Sequence, residues 1–179
     1  MRYVPLLILA LAGCTEDKKK FPSAIPDSRY YNGHSLAVNE VDESDARFEE
    51  ELLVLTNAKR SELGLSTLSR SQTLDALARA HSTHMAEHFF FDHHNPEGDH
   101  AAARLNHFAS GIPWVVRENI WIVEPGKDPQ YVLDGFLASP THYQSIVAPS
   151  HLIGVGVVRK PYNSLPNHIY VTMEFLELR

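Results

Sequence analysis

The sequence has one cysteine, Cys14, and no hydrophobic run long enough to cross a bilayer. A lone thiol cannot form an intramolecular disulfide, which excludes a disulfide-rich scaffold. An excess of positive charge is also absent, since 16 Lys and Arg against 22 Asp and Glu give a formal net charge of -6. Nucleic-acid binding depends on neutralising phosphates, so we expect no nucleic-acid partner.

What is present suits one globular domain. The chain has 179 residues, and 44% of them are hydrophobic, enough for a proper core. We find no internal repeat. The sequence therefore predicts a single folded domain, preceded by a segment of different character.

The N-terminus has the features of an export signal. Arg2 supplies a positive charge, Leu6–Leu11 form a short apolar segment, and small residues precede Cys14. The run Leu11-Ala12-Gly13-Cys14 resembles the lipobox of bacterial lipoproteins, where cleavage leaves the cysteine as an acylated first residue. We predict a signal peptide over 1–13 and lipidation of Cys14. The alternative is cleavage by the ordinary signal peptidase, with Cys14 merely nearby.

Residues 14–43 are predicted to form a lipidated, flexible tether, because they are rich in charge, Pro, Ser and Asn and show no sustained period. The domain is predicted to occupy residues 44–179. Together with the lipid, this organisation indicates a bacterial cell-envelope protein that is exported and held to a membrane. Thr15, directly after the cysteine, mildly favours the outer membrane.

Helical and extended patterns alternate along the domain. Capping residues, apolar stripes and stop signals predict four helices, at about 44–64, 71–88, 128–138 and 139–149, with Ser44 or Asp45 as the first N-cap. Residues rich in β-branched and aromatic types predict three strands, Val115–Val123, Leu152–Arg159 and His168–Glu177. This order favours a layered fold in which helices cover both sides of one sheet.

The sequence has 11 histidines, so histidine chemistry has to be considered. On a helical wheel His81 and His88 lie within the apolar stripe of the second helix, and His84 lies at its edge. A three-histidine metal site on this helix is one reading. The other is structural, with His81 in the core satisfied by one hydrogen bond and His88 a favourable cation near the helix C-terminus.

Three polar clusters lie on separate elements. They are His93 in the loop after the second helix, Glu118 and Asn119 in an apolar strand, and Ser139 to Tyr143 around His142. A carboxylate in an apolar strand costs free energy unless it has a partner. Two imidazoles and a carboxylate would suit a divalent metal, although no compact motif such as H-E-x-x-H is present.

These segments, taken in order, resemble the CAP superfamily, also called the SCP domain, over about Phe48 to Phe175. The likeness is carried by residues 55–65, 77–86, the loop 91–98 with Arg104-Leu105, and the segments Glu118-Asn119-Ile120, Ser139 to His142 and Ile153 to Val157. The resemblance implies an α+β fold, a three-layer α-β-α sandwich with a central, mainly antiparallel sheet. It also implies a cleft of His93, Glu118 and His142, with Asn119 and Ser139 as neighbours, which binds zinc or another divalent ion in some family members.

The chain departs from the family pattern at several positions. Arg117 and Thr141 stand where glycines are usual, and Tyr143 where an arginine is common. Ser139 stands where eukaryotic members have a second cleft acid, and Met173 where a glutamine is common. Fewer acids imply weaker, more pH-dependent metal binding than a four-ligand site would give.

Two functions are compatible with this pattern. The first is a non-enzymatic binding module, displayed at the membrane, whose cleft engages a lipid, glycan or protein. The second is a metal-assisted hydrolase in which an ion on His93 and His142 activates water and Glu118 acts as general base. No serine nucleophile elbow is present, and an acylated Cys14 would not be a nucleophile.

Overall fold

The computed structural model describes residues 30–31, 34–35, 41–107, 114–162 and 165–178. The predicted signal peptide and Cys14 lie outside these residues. Within the predicted tether the structure describes one antiparallel pair, β1 (Tyr30–Tyr31) and β2 (His34–Ser35). No helix in the described ranges combines the length and apolarity that a membrane span needs.

The domain contains five helices and four strands among its described residues. The helices are α1 (Glu43–Glu62), α2 (Gln72–His88), α3 (Ala101–Asn106), α4 (Pro129–Ala138) and α5 (Pro140–Val147). The strands are β3 (Ser69–Arg70), β4 (Trp114–Val123), β5 (Leu152–Tyr162) and β6 (Leu165–Leu178). They form one sheet in the order β3-β5-β6-β4, in which β3 pairs with β5 in parallel and the other neighbours are antiparallel.

The four predicted helices and three predicted strands are confirmed. The N-cap of α1 is a correction, because Asp42 caps the helix by accepting a 2.8 Å hydrogen bond from the Ser44 amide. Neither Ser44 nor Asp45, the two residues expected there, has this role. The short α3 and β3 were not predicted from the sequence.

Apolar side chains cover both faces of the sheet, which confirms the predicted α-β-α sandwich. On one face α1 and α4 pack against β5 and β6 through a core that includes Phe48, Leu52, Phe136, Val155, Met173 and Phe175. On the other face α2 and the short α3 cover the sheet through Leu74, Leu77, Leu105 and Leu176. Alternation along β6 supplies side chains to both layers.

Two glycines on β5 allow α2 to lie directly on the sheet. A Cβ atom at Gly154 would be 2.2 Å from the Leu74 carbonyl carbon, and one at Gly156 would be 2.1 Å from the Arg79 amide nitrogen. Both obstacles are backbone atoms, which cannot rotate away. The glycines therefore fix the depth at which α2 packs, and with it the position of the loop that leaves the helix.

Candidate functional site

His93 and Glu118 meet directly at the edge strand β4. His93 lies in the loop after α2, and its Nδ1 is 2.8 Å from Oε1 of Glu118. The Glu118 side chain is 3% exposed, whereas that of His93 is 49% exposed. The buried carboxylate therefore holds one edge of the imidazole, and the ring projects from it toward solvent.

Arg104, on α3, contacts this pair from the interior of the domain. Its guanidinium contacts Oε2 of Glu118 and lies 3.4 Å from Oε1 of Glu174 on β6. The same guanidinium donates hydrogen bonds to the carbonyls of His93, at 2.9 Å, and Asp99, at 3.1 Å. One fully buried side chain thus joins two carboxyl groups of the sheet to the loop that carries His93.

The two carboxyl groups are cross-strand neighbours, since Glu118 on β4 pairs with Glu174 on β6. Burial raises the pKa of Glu118, although the Arg104 charge opposes the rise. Burial and the neighbouring Glu118 raise the pKa of Glu174 well above its usual range. Oε2 of Glu174 meets no donor among the described residues. We therefore assign the proton to Glu174, so that one net carboxylate, that of Glu118, faces one guanidinium.

His81 is a structural histidine, as the second reading of the helix proposed. Its side chain is fully buried, and its Nε2 lies 3.1 Å from the Asp92 carbonyl, to which it donates. Burial and the Arg104 charge lower its pKa to about 2, so the ring is neutral. The helical-wheel placement of the other two histidines needs correction, because His84 is buried and His88 is exposed. His88 lies in the last turn of α2, as the second reading expected.

His142 approaches the site from the opposite face of the sheet. It lies in the first turn of α5, where its carbonyl accepts a 3.1 Å hydrogen bond from Nδ2 of Asn119. The edge of its ring packs on Phe136, with 5.0 Å between ring centroids. Burial and the charge of His93 lower its pKa. The Ser139 hydroxyl lies 3.2 Å from that of Thr141 and has no contact with the two imidazoles in the described geometry.

A three-ligand metal site that includes Glu118 does not fit this arrangement. Both carboxylate oxygens already have partners, His93 on Oε1 and Arg104 on Oε2. Across the described parts of the chain, no group of three His, Cys, Asp or Glu side chains is placed to hold a metal ion. Glu118 instead orients His93, as carboxylates commonly orient metal-binding histidines.

Arg104 and Glu174 were not among the residues selected from the sequence. Glu174 could have been found by the argument that selected Glu118, because it is a carboxylate in an apolar strand, between Met173 and Phe175. Arg104 is among the residues that carry the family resemblance, but its burial is not signalled, since an arginine on a short amphipathic segment is normally solvated. Only the packing of α3 against β4 makes it a buried cation.

The family model of the cysteine-rich secretory proteins, CAP, matches residues 53–175. A relative in Bacillus subtilis (strain 168), the uncharacterized protein YkwD, is 33% identical over 117 residues. That alignment covers 64% of this chain and 44% of YkwD, so the chain matches less than half of its relative's length.

Solved structures show the same fold. An extracellular protein with an SCP domain from Bacillus anthracis str. Ames is similar with a TM-score of 0.64 and 25% identity, over 74% of this chain and 41% of that one. An outer surface protein of Borrelia burgdorferi has a TM-score of 0.61 and 19% identity, over 76% and 95% of the two chains. A Staphylococcus aureus cysteine-rich secretory protein has a TM-score of 0.58 and 18% identity, over 76% and 40%.

Proposed function

The chain belongs to the cysteine-rich secretory protein (CAP) family, and we propose that it is a membrane-anchored envelope protein whose cleft binds a ligand without transforming it. The cleft is the one formed by His93, Glu118 and His142. The observation that carries the proposal is the engagement of Glu118, whose two oxygens are held by His93 and Arg104. A carboxylate bound in this way positions an imidazole, and the charge of Arg104 makes it a weaker base toward water.

The tautomer of His93 defines what the cleft can bind. Because the Glu118 carboxylate accepts a hydrogen bond from Nδ1–H, the neutral ring has its lone pair on Nε2, at the opposite edge. Burial lowers the pKa of His93, which favours this neutral form. A ligand must therefore donate a hydrogen bond to Nε2. Hydroxyl and amide groups do so, which favours a glycan or a peptide over the acyl chain of a lipid.

The alternative, a metal-assisted hydrolase, has less support. Such an enzyme needs a general base beside the activated water, and Glu118, the residue predicted for this role, is bonded to a guanidinium. We propose that a divalent ion at this site, zinc or similar, would be held by His93 and His142 only. There it would supply Lewis acidity.

Location at a membrane rests on the predicted acylation of Cys14. The extracellular SCP protein of Bacillus anthracis, at 25% identity, supports export of the domain. The single cysteine and the small residues before it support lipidation. Together they favour display of the cleft on the outside of the cytoplasmic membrane, with the choice between inner and outer membrane open.

The experiment is untargeted mass spectrometry of small molecules that co-purify with the chain, compared between the parent and His93→Ala, His142→Ala. We expect a hydroxyl- or amide-bearing ligand on the parent and its loss from the double variant. His107→Ala is the matched control, because this histidine is also exposed but pairs with the Asp99 side chain and not with Glu118. The double variant should also lose zinc binding in calorimetric titration.

Glu118→Gln separates the two functions. The glutamine carbonyl still accepts a hydrogen bond from His93 Nδ1–H, so a binding module should retain its ligand, whereas a hydrolase would lose its base. Hydrolysis of the co-purified ligand by the parent chain, abolished in Glu118→Gln, would contradict the proposal.

A further inference from the structure

Three consecutive phenylalanines follow α2 and have different environments. Phe90 is half-buried and packs against Met85, Ile120 and Tyr170. Its ring also meets the edges of two buried histidines, with centroid distances of 5.9 Å to His81 and 5.3 Å to His84. The middle ring thus anchors the segment to the core.

The flanking rings point outward. Phe89 is 64% exposed and Phe91 is 52% exposed, the first and third largest exposures among the large hydrophobic side chains of the described residues. Phe89 also has a left-handed backbone, with φ 56° and ψ 42°, at the C-cap of α2. Glycine is the residue favoured at such a position, and phenylalanine is strained there. A large ring kept at a strained, solvated position contributes nothing to the core, which indicates a use outside the fold.

We infer that Phe89 and Phe91 form an interfacial contact with a lipid bilayer, into which both rings insert and which orients the domain on the membrane. Aromatic rings are favoured at the boundary between headgroups and acyl chains. The inference extends the proposed function, since it rests on display of the domain at a membrane.

The entry point of the chain lies at the same end of the domain as this pair, which supports the membrane side for the two rings. Near the start of α1, Ser44 Oγ accepts a 3.0 Å hydrogen bond from Arg159 on β5. Arg159 follows Val158, which pairs with Tyr170, the residue against which Phe90 packs. The start of α1 and the exit of α2 therefore lie at the same end of the sheet. The predicted tether leads from Cys14 into α1, so an acylated Cys14 would attach the domain to the bilayer from this end.

The charges around the rings identify the kind of surface. The neighbours Glu87 and Asp92 are both exposed, and the whole chain has a formal net charge of -6. Acidic neighbours disfavour anionic headgroups and anionic polymers. The contact is therefore with neutral, zwitterionic lipid and is hydrophobic in origin, so it should vary little with salt.

The test uses the chain from residue 14 onward with Cys14→Ser, which has no acyl group, and vesicles of phosphatidylcholine. We expect the chain to co-sediment with vesicles at low and high salt. Phe89→Ser, Phe91→Ser should lower the partition coefficient by about tenfold or more, because two rings lose their transfer from water. Leu63→Ser is the matched control, since Leu63 is 45% exposed but follows the far end of α1.

A second measurement reports insertion itself. Phe91→Trp should increase the quenching of tryptophan fluorescence by brominated phosphatidylcholine above that of the parent, which contains Trp114 and Trp121, and Leu63→Trp should not. Equal co-sedimentation of the parent and the double variant would overturn the inference. The inference would also be overturned if the parent did not bind vesicles but self-associated through the two rings, which sedimentation velocity would show.

The vesicle experiment can be interpreted separately from the experiments on the cleft. Because the tested chain has no acyl group, vesicle binding is measured whether or not Cys14 is acylated in the cell. Loss of the co-purifying ligand in the His93 and His142 variants remains a separate readout, so failure of the cleft proposal and failure of the membrane contact are distinguishable.

Discussion

At the scale of single residues, burial keeps two ionisable groups in protonation states that differ from those they favour in water. His81 is neutral because it is buried beside Arg104, and Glu174 holds a proton because it is buried beside Glu118. Each group exchanges protons when the chain unfolds, so each makes stability depend on pH.

The His81 pKa predicts loss of stability in acid. Its pKa is about 2 in the folded chain and about 6.5 when unfolded, so the unfolded chain binds one more proton between these values. The free energy of unfolding should therefore fall as pH decreases below about 6.5, by at most about 1.4 kcal/mol per pH unit from this residue. His81→Gln retains a donor for the Asp92 carbonyl and cannot titrate. Urea denaturation at several pH values should show a flatter slope for the variant, and parallel curves would contradict the assignment.

The shared proton of the carboxyl pair predicts non-additive mutations. Glu174→Gln resembles the protonated acid and should change stability by less than about 1 kcal/mol. Glu118→Gln should also be mild, because Glu174 can then ionise against Arg104. The double variant leaves the guanidinium buried without a carboxylate and should cost about 3–5 kcal/mol. Additive costs in chemical denaturation would place the proton elsewhere.

At the scale of secondary-structure elements, local signals predicted most of the fold. Pro129 after Asp128 marked the start of α4, and Gly64, with φ 72°, marked the end of α1. The two elements that were not predicted, β3 and α3, have only weak local sequence signals. β3 has two residues and α3 has six, and both exist because of what they pack against. Their conformations are set by tertiary contacts, which a periodicity argument does not contain.

In the candidate site, too, local signals predicted some residues, and tertiary contacts determined the others. His93, Glu118 and His142 could be selected from residue type and family resemblance, because polar groups in apolar surroundings require an explanation. The burial of Arg104 and the proton on Glu174 could not be predicted, since both depend on the distance between α3 and two strands. The sequence therefore supplied the candidate residues, and the structure added the buried groups that hold His93 and Glu118 in place.

At the scale of the whole molecule, the proposed cleft spans one edge of the sheet. β4 is an edge strand, with Glu118 supporting His93 on one face and Asn119 bonding the His142 carbonyl on the other. Alternation along the strand sends these adjacent side chains to opposite faces. An edge strand can therefore contact both helical layers, as the proposed cleft requires, and the loop after α2 connects His93 to the exposed phenylalanines.

Anchoring makes a prediction for the protein in its cell. Cys14 should be the mature N-terminus and should carry acyl chains, because it is the only cysteine and follows small residues. Intact mass spectrometry of the native protein should show cleavage before Cys14 and the added mass of the lipid. Several acyl chains hold a protein stably, since each buried methylene contributes about 0.8 kcal/mol. The variant Cys14→Ser should therefore move largely to the soluble envelope fraction, with only the weaker phenylalanine contact remaining. Phe89→Ser, Phe91→Ser with Cys14 intact should stay in the membrane fraction, and a Cys14→Ser chain that stays there fully would refute the lipid anchor.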